Sequence, residues 1–232
     1  MHSFHMAHVG PLRGAAALLR PPQGARVPGL RAAEVMAGMR LGAPVVSPHR
    51  LQLSRLAMFA EWDDEAALEA FLASRRLGQA FAGGWHLRME FLRRWGSVDA
   101  FSALPAEVGA AAADEPVAAV TLARMRLPEL LRFIHWGRPV ERQVRDHADT
   151  TLAMAAIRPP RTVSTFSIWS STRAMTGMVF GRDHGVGTQR HVAAMRERER
   201  RDFHHEFTTL RFRILSEHGA WDGRSDYSRA AA

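Results

Sequence analysis

Leu210-Arg211-Phe212-Arg213-Ile214-Leu215-Ser216-Glu217-His218-Gly219-Ala220-Trp221-Asp222 lies without a gap on Leu87-Arg88-Met89-Glu90-Phe91-Leu92-Arg93-Arg94-Trp95-Gly96-Ser97-Val98-Asp99. Both copies belong to alternating runs that read as strands, 85–95 and 207–215. Upstream of the second copy, Thr162 to Trp169 alternates β-branched and aromatic residues, a further strand. Ser170 or Ser171 can cap the helix that follows, which carries Met175, Met178 and Val179. Upstream of the first copy, Leu51 to Trp62 is a strand. Asp63 and Asp64 then cap a helix with Ala67, Leu68, Phe71 and Leu72 on one face. Trp62 and Trp169 thus occupy the same place, at the end of a strand and before a capped helix. Pro11 and Pro128 likewise each open a helix after a strand, 2–9 and 117–126, and the helix from Pro128 is read through Ile134. With extended segments at 29–41 and 150–157, each half reads βαββαβ, the split βαβ pattern of ferredoxin-like folds.

The expected fold is therefore α+β: two ferredoxin-like halves, 1–104 and 115–224, forming a pseudo-symmetric α+β barrel with helices outside. An Ala-rich connector joins the halves, and 225–232 is expected to be a disordered tail. The repeat is also informative where it fails. Trp62 to Leu87 is 25 residues (87 − 62), whereas Trp169 to Leu210 is 41 (210 − 169). The excess falls on a loop with Gly181, Asp183, Gly185 and Gly187 and on a charged helix bearing His191. Extra material in one copy of a repeat marks a functional surface or a decoration.

Apolar residues make up 47% of the 232, enough for a proper core. With no Cys, disulfides and thiolate-ligated metals are excluded. All 31 basic residues are Arg, and the formal net charge is +8. Such a charge attracts nucleic acid or a membrane surface. The Arg residues are scattered among apolar positions, so no basic block or reading helix supports nucleic-acid binding. No apolar run approaches the length of a membrane span. The first residues show no signal-peptide pattern. A cytoplasmic protein is expected, with peripheral membrane contact as the alternative.

Thr165-Phe166-Ser167-Ile168-Trp169, the Met-bearing helix, His191, Phe203-His204-His205-Glu206-Phe207, Leu210-Arg211-Phe212 and Gly219-Ala220-Trp221-Asp222-Gly223 follow one another in a pattern that resembles the C-terminal half of the spheroidene monooxygenase family. Pro28 to Arg31, Ala60 to Asp63 and Glu115 to Arg124 agree more loosely. The chain departs from the family at Asp202-Phe203 and His205-Glu206, where the family has Trp-Phe and paired acids. It also departs around Ala153 to Ala156, where a Gly-rich stretch is missing. The resemblance implies a haem-dependent monooxygenase that oxidises an apolar, carotenoid-like substrate with O₂. It also implies kinship with antibiotic-biosynthesis monooxygenases and haem-degrading enzymes of α+β barrel fold.

In those haem-degrading relatives a His at a place like that of His191 is the proximal ligand, so the resemblance makes His191 the haem-iron ligand. By their spacing His191, Met195 and Arg198 share a helix face, and Val192 and Met195 mark the side expected to pack inward, with His191 at its border. The bland alternative is a partly exposed His on a charged helix. Met154, Ile168, Met175, Met178 and Phe212 could line a flat apolar pocket, or simply pack the core. Arg211 could meet haem propionates, or face solvent with Arg213. No two of the 12 histidines are spaced i, i+4, so the helical two-histidine metal box is absent. Arg196 to Arg201 reads as a salt-bridged solvated face. No catalytic side chain, electron donor or oligomeric state is assigned. A haem- or apolar-ligand-binding protein without turnover is the rival function, and an α+β protein with a closed pocket is a third.

Overall fold

The computed structural model describes residues 1–44, 47–74, 76–182 and 189–229. Eight strands alternate with helices: β1 (His2–His8), α1 (Pro11–Leu19), β2 (Leu30–Met39), β3 (Gln52–Trp62), α2 (Glu65–Ser74), α3 (Arg76–Ala82) and β4 (Trp85–Ser97) form the first half. The second comprises β5 (Val117–Met125), α4 (Leu130–Arg145), β6 (Thr150–Arg158), β7 (Thr162–Trp169), α5 (Thr172–Val179), α6 (Arg190–Arg200) and β8 (His204–Gly219). The strands close into one antiparallel barrel in the order β1-β3-β2-β6-β7-β5-β8-β4. Within it β4-β1-β3-β2 and β8-β5-β7-β6 repeat the ferredoxin-like order, so the α+β reading with two βαββαβ halves holds.

The halves meet at two seams, β2 with β6 and β4 with β8, each joining equivalent strands antiparallel. The β4–β8 seam obeys the 123-residue offset of the sequence match (210 − 87). Arg88 pairs with Ser216 and, correspondingly, Arg93 with Arg211; Trp85 pairs with Gly219, and Gly96 with Thr208. Glu90 and Arg213 are each other's equivalents and pair together, which puts the pseudo-twofold axis between them. They form an ion pair there.

Side chains alternate across each strand. The inner set fills the barrel with Phe4, Phe59, Trp85, Phe166 and Phe212, all essentially inaccessible. One inner group is ionic. Glu34 of β2, almost fully buried, is held by Arg124 of β5 and by Arg158 of β6, the latter at 2.6 Å. A carboxylate in that interior needs such partners.

Two expectations change. The helix opened by Pro128 was expected to stop at Ile134, but α4 runs on to Arg145 through Gly137 and Pro139. Its strongly amphipathic face, with Phe133, Trp136 and Val144 packed on the sheet, outweighs both breakers. The tail expected to be disordered from 225 is docked as far as the described residues go, to Arg229. Tyr227 is buried against Trp85 and donates its hydroxyl to Trp221 O at 2.7 Å. An aromatic side chain with a satisfied hydroxyl outweighs the polar composition around it.

Candidate functional site

The outer faces of the two halves differ. Under α1, α2 and α3 the first half buries Val35, Leu56, Met58 and Trp62, mostly large side chains with no solvent contact to speak of. The equivalent face of the second half carries small and hydroxylated residues. Thr165, Thr121 and Thr209 form a row across β7, β5 and β8, and Ser167, Ala119 and Arg211 form the next. The Thr121 and Thr209 hydroxyls are 3.2 Å apart. Ala119, Thr121, Thr165 and Thr209 stay half-buried on central strands, so solvent reaches a floor that helices overhang. Two apolar clusters bound this floor. One joins Val117, Trp169, Met175 and Met178; the other joins Ala123, Met125, Phe203, Phe133 and Trp136.

α5 is set over the first cluster by the Ser171 hydroxyl, which accepts from Ala174 N–H at 3.1 Å. Of the two serines expected as caps, Ser171 takes the role. α6 then brings His191 beside the end of α5. Its Nδ1 lies 2.9 Å from Val179 O. A carbonyl can only accept, so Nδ1 carries the proton and Nε2 keeps its lone pair. The His191 N–H donates to Gln143 Oε1 of α4 at 3.2 Å, so three helices fix the residue. Burial pushes the imidazole pKa below the usual value, against a smaller opposing effect of the Val179 hydrogen bond. The ring is neutral at pH 7.

The helix face shared by His191, Met195 and Arg198 does turn toward the sheet: the Arg198 guanidinium stacks 3.9 Å over Phe207. The buried residue of α6, however, is Ala194, whereas Val192 and Met195 remain half-buried. A helix lying edge-on over two others buries its smallest side chain where the backbones approach most closely.

Arg211 points outward, as its alternation with Leu210 and Phe212 required. Its guanidinium lies 5.0 Å over Trp95, and its Nε is buried without a hydrogen-bond partner among the described residues. Burial first, and Arg93 next, lower its pKa. The residues expected to line one apolar pocket divide between the faces of the sheet. Met154, Ile168 and Phe212 belong to the barrel interior. Met175 and Met178 lie in the outer layer beneath α5. A sheet separates the two sets, so they do not form a single pocket. Only Met175 and Met178 share the layer that holds His191.

His204, also in the family-like stretch, is buried and bonds Asp202 through Nδ1 at 2.8 Å, whereas His205 is exposed. His184 and the glycines at 185 and 187 lie outside the described residues. Among the described residues, no cluster of three or more metal-ligating side chains occurs. No described helix is long and apolar enough to cross a membrane. Sequence reading missed the threonine row and Gln143. The alternation Ala119-Thr121-Ala123 was the available signal for the former, and a single glutamine gave none for the latter.

No protein-family model matches the chain. It is 30% identical over 178 residues to spheroidene monooxygenase of Rubrivivax gelatinosus. The match covers 75% of this chain and 66% of that protein, just under two thirds of its length. Among solved structures, aldoxime dehydratase superposes with a TM-score of 0.54 at 9% identity, over 99% of this chain and 87% of that one, a likeness of fold. By sequence the chain is thus similar to spheroidene monooxygenase, and it folds as a barrel of two ferredoxin-like halves.

Proposed function

We propose that the chain is a haem-dependent monooxygenase that oxidises an apolar, carotenoid-like substrate with O₂. The observation that carries the reading is the Nδ1–H···O=C bond from His191 to Val179. It is the second-sphere contact that a proximal histidine uses to fix its tautomer and to sharpen Nε2 as a ligand. The surroundings suit a flat, anionic macrocycle. The floor carries small and hydroxylated side chains, and the Arg211 Nε–H, without a partner among the described residues, is available to a propionate. Haem, when bound, supplies the iron at which O₂ is activated. The chain's own part is to present Nε2 of a neutral imidazole, to orient the ring between the two apolar clusters, and to keep water out with α4, α5 and α6.

Reconstitution with haem tests this reading. A Soret band should appear and titrate to one haem per chain, and an acyclic carotenoid should be oxidised when O₂ and a reductant are supplied. His191→Ala should abolish tight binding, while His205→Ala and His184→Ala leave the band in place. Absence of a Soret band in the wild type, or an unchanged band in His191→Ala, would sink the ligand assignment. Stable haem without product would instead favour the non-catalytic carrier of the same fold.

A further inference from the structure

A second, separate cavity opens at the end of the barrel where β2 finishes and β3 and β6 begin. Its volume is ≈ 430 Å³, within the range of small-molecule sites. Its deep wall is apolar, formed by Leu152, Met154, Trp221 and Tyr227. Leu152 and Met154 are inner-face residues of β6, so this wall continues into the barrel core. The rim is basic and includes Arg40, Arg55, Arg145 and His49.

The charges at the rim do not cancel. Asp222, the acidic side chain in the lining, is engaged by Arg55, whose guanidinium also lies 4.8 Å over Trp221. Arg145 is satisfied by Asp146 at 2.6 Å and 2.8 Å. Arg40 is exposed and makes no side-chain hydrogen bond or ion pair with the described residues. Nearby Arg50 is committed to the carbonyls of Ala43 and Pro44. The cavity thus pairs an apolar depth with one uncommitted guanidinium at its mouth.

We propose that this cavity binds an apolar chain with an anionic head, of the fatty-acid class. The chain lies against Leu152, Met154 and Tyr227, and the carboxylate meets Arg40. The site is independent of the haem reading, because His191 lies in the outer layer of the second half and lines no part of it. A hydrocarbon carotenoid has no group for Arg40, so the ligand is a different one.

Calorimetric titration of the full chain with dodecanoate, kept below its micellar concentration, tests the proposal, with dodecanol as the head-group control. Dodecanoate should bind one to one, and dodecanol about tenfold or more weaker, the scale of one charge-assisted contact. Arg40→Glu, an exposed substitution that leaves the core intact, should weaken dodecanoate by at least that factor and leave dodecanol unchanged. Met154→Trp should block both, with an unaltered circular dichroism spectrum confirming the fold. His191→Ala should bind dodecanoate like the wild type. Equal affinity for acid and alcohol, no loss in Arg40→Glu, or no binding of dodecanoate would overturn it.

Discussion

His191 gains its chemistry from a backbone carbonyl. With Nδ1–H held by Val179 O, the other nitrogen is free, and burial keeps the ring uncharged. This has a pH signature. An exposed histidine would lose metal affinity as protonation sets in near pH 6.5. His191, with its lowered pKa, should keep its haem affinity to a more acidic pH than an exposed histidine would, with a midpoint below 6.5. A spectroscopic titration between pH 8 and 5 checks this, and a midpoint at 6.5 would contradict the buried, carbonyl-bonded state. The helical position of His191 was legible from its spacing with Met195 and Arg198. Its hydrogen bond was not, because Val179 offers only a main-chain oxygen, and any residue has one.

Among elements, the strands were the most legible, since alternation shows which residues share a face. Alternation does not show which face holds a site. Ile168 and Trp169 are neighbours in sequence, yet one fills the barrel and the other sits under α5. That is why Met154, Ile168 and Phe212 were grouped with Met175 and Met178. α4 was underread for another reason: Gly137 and Pro139 are breakers locally, and only packing on the sheet outweighs them. Where strands of different halves touch, Glu34 makes a sharp test. Glu34→Gln removes the buried carboxylate and leaves half-buried Arg124 and Arg158 as adjacent unpaired cations, and should cost about 3 kcal/mol, the lower end of what breaking a buried ionic group costs. Urea unfolding followed by fluorescence reads this directly; a loss below about 1 kcal/mol would show the cluster to be hydrated.

Across the whole molecule the buried histidines set the acid limit. His2 is driven down to about 3, chiefly by burial and then by the positive N-terminus. His86 falls to about 4 through burial and then His218, and fully buried His5 is held well below the usual imidazole value, first for want of solvation and then by His86. These rings are neutral when folded, whereas the unfolded chain protonates them below about pH 6.5. Stability should therefore be fullest above pH 6.5 and fall steadily as pH drops toward 4 and 3. Urea midpoints measured from pH 8 to 5 should decline below 6.5, and His2→Phe should flatten that decline; a level profile would refute it. The duplicated architecture itself was readable, because an ungapped match between β4 and β8 reflects the seam they share. The tail was not, since one tyrosine among polar residues does not announce its pocket.

The axis between Glu90 and Arg213 has a consequence for how such a barrel can be built. If two identical chains, each a single half, were to form the same barrel, the residue on the axis would face its own copy. A glutamate would meet a glutamate, or an arginine an arginine, and that position could only repel or be neutral. Joined in one chain, the two copies are free to differ. This protein carries opposite charges there, and Arg213 reaches on to Glu115, just before β5. The attraction at the centre of the seam is one that a symmetric dimer of either half could never make.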